Sequence, residues 1–205
     1  MQDSKTAEQL PTNASGQVSR RITVWLTGIG LVMIAGLNLM GRSGWCPQKD
    51  FVPWSWDVWS AHCSQHFVDP YSLSHFQHGL GLFLILSVCF KNQMSLFAKT
   101  ATVGAIEALW EFTENTSFMI NRYRETTVSL DYYGDSITNS VGDYLFCLLG
   151  VYVSFKLPHR FTITVFVAAE IISLIWIRDS LMINIIMLIC PIEAIKNWQM
   201  PLPVK

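Results

Sequence analysis

At 205 residues, 51% hydrophobic and only 14% charged, with a mean hydropathy of +0.32, the chain is too apolar for an ordinary soluble domain, which carries roughly 25% charged residues. A net charge of −1 excludes the basic footprint of a nucleic-acid binder and offers no polybasic membrane patch. Eight tryptophans and twelve phenylalanines suit aromatic belts at lipid interfaces, so the class predicted is an all-α, polytopic transmembrane helix bundle.

Residues 1–19 are polar and rich in Gln, Ser, Thr and Asn, which reads as a short disordered cytoplasmic tail. Residues 20–197 read as one integral membrane domain and 198–205 as a second short cytoplasmic tail. Arg20 and Arg21 precede an apolar run at 22–40, close to the roughly 20 residues a spanning helix needs and too long for a cleaved signal peptide. Further spans are predicted near 73–90, 100–120, 137–155, 161–177 and 181–194, about six in all, the last two separated only by Arg178-Asp179-Ser180. With the N-terminus inside, nine Lys and Arg residues fall on the cytoplasmic side against five outside, which predicts a bacterial inner-membrane protein with both termini cytoplasmic. Residues 41–72 then form an outer loop, whose four tryptophans suggest an ordered cap on the membrane surface. Cys46 and Cys63 share that loop and either pair in an oxidising compartment or remain free thiols.

Ionisable side chains at bilayer depth cost several kcal/mol unless paired, hydrated or bound, so their clustering marks function. His75 and His78 start the second span on one helix face; Glu107, Glu111 and Glu114 follow i, i+4, i+7 in the third. Asp135, Asn139 and Asp143 follow i, i+4, i+8 at the start of the fourth. All three stripes lie toward the outer half of the membrane. If the third span runs to Ile120, Glu114 sits about 9 Å below its outer end and Glu107 about 20 Å, which makes Glu107 a supporting residue.

Two chemistries suit the set. His75, His78, Glu111 and Asp135 are donors for a divalent metal with a water to activate. Without metal, the same His75, His78, Glu111, Glu114, Asp135, Asn139 and Asp143 serve as acid and base or as a proton relay. Arg122 and Arg124, with Tyr123 and Asn115 beside them, are placed to hold an anionic head group. The partners expected are membrane lipids and a lipid or lipid-linked envelope substrate. An ion- or proton-coupled transporter and a non-catalytic scaffold are the rival readings.

The segments S-Q-H (64–66), S-H-F-Q-H-G (74–79), E-A-L-W-E-F-T-E-N (107–115) and I-N-R-Y-R-E-T-T-V-S-L-D-Y-Y-G-D-S-I-T-N-S-V-G-D (120–143) resemble a family of small bacterial inner-membrane proteins classed as a domain of unknown function. That resemblance implies a polytopic plasma-membrane protein. The order of polar elements is also loosely similar to VanZ-like membrane proteins, whose His, paired acidic residues, Arg and D-x-x-x-N would fall on His75 or His78, Glu111 with Glu114, Arg122 or Arg124, and Asp135 with Asn139.

Overall fold

The computed structural model describes residues 12–127 and 131–200, and among these the chain is all-helical, with no strand beyond an isolated bridge between Trp54 and Val68. Eight helices follow in order: α1 (Thr12–Leu39), α2 (Ser72–Cys89), α3 (Leu96–Glu114), α4 (Ser117–Thr126), α5 (Ile137–Lys156), α6 (His159–Ile177), α7 (Leu181–Ile189) and α8 (Glu193–Gln199). Their starts are set by side-chain caps. Ser95, Thr116, Ser136 and Ser180 each accept a bond from the backbone N–H three residues on, satisfying a donor the helix cannot.

Three helices are long and apolar enough to cross a membrane by length and composition: residues 16–39 of α1, α2 and α6. Their outward faces, with Val32, Ile85 and Ile175 among them, are exposed and greasy. Three of the expected boundaries change. Helix α1 begins at Thr12, so 12–19 continue the first helix, because extending an existing helix adds one hydrogen bond per residue fixed. The third span does not run to Ile120. It ends at Glu114, where Asn115 closes α3 and Thr116 caps the separate α4. The sixth span, expected at 181–194, is instead the nine-residue α7 followed by α8. Pro191 supplies no N–H and disfavours helix at Cys190, and nine residues rise only about 14 Å against a hydrocarbon core of about 30 Å. Residues 1–11 and 201–205, the outer parts of the two expected tails, lie outside the described residues.

Helix α2 is the central element and packs most extensively on α5. The contact is close because Gly79 and Gly150 face each other's helix: a Cβ on Gly79 would lie 1.9 Å from the Cys147 carbonyl oxygen, and one on Gly150 would lie 2.1 Å from that of Phe76. Val103, Phe83, Cys147 and Val151 fill the space where α2, α3 and α5 meet. Residues 40–71 fold over one end of the bundle without regular helix. They are fastened to the start of α5: Ser136 N–H donates to Ser64 O, Ile137 N–H to Ser43 O, and Gln65 Nε2 to Gly134 O. Cys46 and Cys63 are both buried free thiols, so the disulfide alternative does not hold. Each sulfur has another neighbour, His62 for Cys46 and Ser64 for Cys63.

Candidate functional site

The three polar stripes meet where α2, α3 and α5 converge beneath the loop at 40–71. One turn of α2 separates His75 from His78, and both rings point at α3. His75 Nδ1 donates to Glu107 Oε1 at 2.6 Å and His78 Nδ1 to Glu107 Oε2 at 3.0 Å, so one carboxylate bridges two imidazoles. Glu107 is therefore the centre of the cluster rather than a support. Ending α3 at Glu114 places Glu107 about 10 Å from the helix end, half the depth expected of a longer span.

Glu111 lies one turn further along α3, its Oε1 3.4 Å from His75 Nδ1. That nitrogen carries a single hydrogen, already committed to Glu107, so neither Glu111 oxygen has a hydrogen-bond partner. Across the cluster, Asp143 of α5 brings Oδ2 to 3.8 Å from His75 Nε2, beyond hydrogen-bond reach, and its Oδ1 is likewise unpartnered. Glu114 Oε2 is a fourth unpartnered buried oxygen. Two donor groups are tight enough to hold a cation, His75 with His78 and Glu107, and His75 with Glu111 and Glu114, each set having ligand atoms within 4.8 Å of one another.

Asp135, expected among the metal donors, is differently engaged. Tyr132 OH donates to its Oδ1 at 2.9 Å and Asn115 Nδ2 to its Oδ2 at 3.0 Å, while its own N–H returns to Asn115 Oδ1 at 2.8 Å. Burial lifts the Asp135 carboxyl to about 6, against the opposing pull of the Tyr132 hydroxyl. A cavity of about 280 Å³ opens beside the cluster. Its polar end carries His75, His78, Glu107, Glu114, Asp135 and Asp143, and its flank is apolar, with Leu82, Ile106 and Leu181. No Lys or Arg lines it among the described residues.

Residues 37–201, which take in every residue of this cluster, match the sequence profile described as a protein of unknown function, DUF2585. The chain belongs to the DUF2585 family. It is 41% identical over 168 residues to a UPF0314 protein of Brucella anthropi, covering 82% of this chain and 85% of the relative. A UPF0314 protein of Rhizobium meliloti is 37% identical over 183 residues (88% and 92%), and one of Paracoccus denitrificans 35% over 181 (88% and 93%). No solved structure matches.

Of the remaining predicted residues, Asn139, Arg122 and Arg124 do not line the cavity. Asn139 donates from Nδ2 to His66 O at 2.9 Å, which ties the loop at 40–71 to α5. Arg122 Nε donates to Leu188 O and Arg124 Nε to Tyr132 O, so both guanidinium groups bond backbone rather than line the cavity; Tyr123, between them, does line it. Asp69 is the residue sequence reasoning missed. Its Oδ1 accepts from Tyr71 N–H and Ser72 N–H, its Oδ2 from Ser64 N–H, and burial raises its carboxyl despite those bonds. The signal was present, because Asp followed by Pro just before an apolar run marks a helix start.

Proposed function

We propose that this DUF2585 protein is a membrane-embedded hydrolase or transferase of the bacterial inner membrane that acts on a lipid or lipid-linked envelope substrate with the help of a divalent cation. The observation that carries this reading is the charge imbalance of the cavity. Four carboxylates and two imidazoles line it, with no Lys or Arg among the described residues, and Glu111 stands just behind with both oxygens unpartnered. Buried carboxylates without partners cost several kcal/mol each, and a divalent cation satisfies several at once.

Carboxylate oxygen and imidazole nitrogen suit Zn²⁺, Mn²⁺ or Mg²⁺, and His75, His78 and Glu107, or His75, Glu111 and Glu114, would hold it. A bound ion supplies Lewis acidity and an activated water. Where His75, His78 and Glu107 would hold the ion, Glu111 is the group left to take a proton, since its oxygens are uncommitted. The apolar flank suits an acyl or prenyl chain entering from lipid. The transport reading is less well supported, because it needs a polar path through the inner half of the membrane, and the groups that would mark one serve elsewhere: Glu107 bridges the histidines, Asn184 lines the cavity, and Glu170 accepts from Gln77. The scaffold reading expects paired carboxylates without a cavity.

In this reading α1, α2, α3, α5 and α6 cross the bilayer, with α4, α7, α8 and the loop at 40–71 grouped at the outer end. Five crossings put the C-terminus outside, and the basic residues then divide evenly between the two sides. The outer ones are engaged in structure, as Arg42, Arg122, Arg124 and Arg178 each bond backbone carbonyls. Lys91, Lys99, Lys156 and Arg160 remain at the inner end to set orientation.

The test is a lipid profile, by mass spectrometry, of a strain lacking the gene, complemented with wild-type chain or with Glu111→Gln. Glu111 makes no side-chain hydrogen bond, so the variant should accumulate normally yet fail to restore the profile. Full restoration by Glu111→Gln, or an unchanged profile in the deletion strain, would refute the enzymatic reading.

A further inference from the structure

A second donor cluster lies in the outer loop, and none of its residues lines the cavity. Cys46 Sγ is 3.6 Å from His62 Nδ1, and His62 Nδ1 is 3.2 Å from His66 Nε2. Asp50 Oδ2 approaches the same His62 nitrogen at 3.9 Å. Tetrahedral zinc, with Zn–S near 2.3 Å and Zn–N near 2.0–2.1 Å, requires S···N of about 3.6 Å and N···N of about 3.3 Å. The observed separations meet both. We propose that Cys46, His62 and His66, completed by Asp50, form a structural zinc site that pins the outer loop.

Proton arithmetic supports a cation. His66 Nδ1 faces the Val52 carbonyl at 2.5 Å, and since a carbonyl only accepts, that nitrogen carries the hydrogen and Nε2 presents a lone pair. His62 Nδ1 thus faces a thiol, a lone pair and a carboxylate, and one N–H serves only one of them. A zinc ion serves all four groups at once, with the thiol as thiolate. The surrounding bonds are those that orient ligands: Val52 O fixes the His66 tautomer, Val52 N–H holds Asp50 Oδ1 at 3.0 Å, and Trp45 Nε1 donates to Asp50 O. His66 and Cys46 are buried while His62 and Asp50 are partly exposed, which leaves a path for the ion. The spacing is also apt, His62 and His66 being separated by three residues as in many zinc sites.

The experiment uses untagged full-length protein in detergent, with metal content read by plasma mass spectrometry and Co²⁺ exchanged for Zn²⁺. Wild type should hold zinc, and its cobalt form should show a near-ultraviolet thiolate-to-metal charge-transfer band, which the His and Glu donors of the cavity cannot produce. Cys46→Ser should abolish the band and His66→Ala should lower the zinc content by one ion per chain, while Glu107→Gln leaves the band intact. Absence of the band in wild type, or its survival in Cys46→Ser, would overturn the site. Where the variants fail to accumulate, alkylation of Cys46 in wild type decides. A strong chelator should speed labelling by about tenfold or more, and an unchanged rate counts against zinc.

Discussion

Replacing Gly79 by Ala should destabilise the protein through the α2–α5 contact that positions the site. The added Cβ would sit 1.9 Å from the Cys147 carbonyl oxygen and 2.8 Å from Val151 N. Both are backbone atoms of a helix, so no rotamer change relieves the clash. Restoring an ordinary contact near 3.4 Å moves the helices apart by about 1.5 Å at that point. Overpacking of this kind costs about 3 kcal/mol, and the better helix propensity of Ala returns about 1 kcal/mol. The net loss of about 2 kcal/mol corresponds to a melting temperature lower by roughly 4–8 °C for a chain of this size.

The same displacement acts on the cluster. Gly79 follows His78 directly and lies one turn from His75, and Cys147 lies one turn from Asp143, so the 3.8 Å separation between His75 Nε2 and Asp143 Oδ2 widens. The assay is tryptophan-fluorescence melting in detergent, with Gly28→Ala as control, since a Cβ there meets nothing within 4 Å. Gly28→Ala should match or exceed wild type. A Gly79→Ala protein that melts with wild type would refute the close-contact argument, because no other adjustment accommodates the added atom.

Arg42→Ala should cost about 2–4 kcal/mol by the same melting assay, since it removes two charged hydrogen bonds, Nε to Asp135 O and Nη1 to Tyr133 O, each 2.8 Å. Arg42→Lys should not rescue fully, because the two carbonyls are held by two different guanidinium nitrogens and an ammonium offers its donors from a single nitrogen. Asp179, buried in the turn between α6 and α7, is raised by burial from 3.8 to about 6, against bonds from Ser180 N–H and the Tyr71 hydroxyl. A raised carboxyl binds its proton more tightly when folded. Its contribution, about 3 kcal/mol, is present below pH about 4 and is lost as pH rises through about 6. Asp179→Asn should therefore equal wild type near pH 4 and be more stable at pH 8; parallel melting-temperature profiles across that range would contradict it.

The stripes of the site were legible because helical spacing is a local property. His75 with His78, and Glu107 with Glu111, share faces whatever they pack against, while the expectation that the three stripes meet rested on the order and orientation of the spans as well. Depth was not legible in the same way. It depended on where α3 ends, and that was decided by two small polar residues: Asn115, whose amide bonds Glu111 O and Asp135, and Thr116, whose hydroxyl caps α4. An apolar average across 100–120 hides such a break, and the error passed directly into the role given to Glu107. The same reason explains the sixth span, where hydropathy continued through a proline that ends the helix.

Loop residues were less legible still. Cys46, His62 and His66 come together only because the chain from 41 to 72 is folded back and bonded to α5 through Ser64, Gln65 and Ser43, none of which has helical periodicity. The arginines at 122 and 124 show the converse. Their charge and adjacency suggested an anion clamp, yet a basic side chain beside a helix end finds backbone carbonyls nearer than any ligand, and both bond carbonyls. A charge in the sequence is thus weaker guidance than a buried oxygen without a partner. That is why Glu111, one of four metal donors expected from the sequence, is kept for the test of the proposed function while Asp135, whose oxygens both have partners, is not.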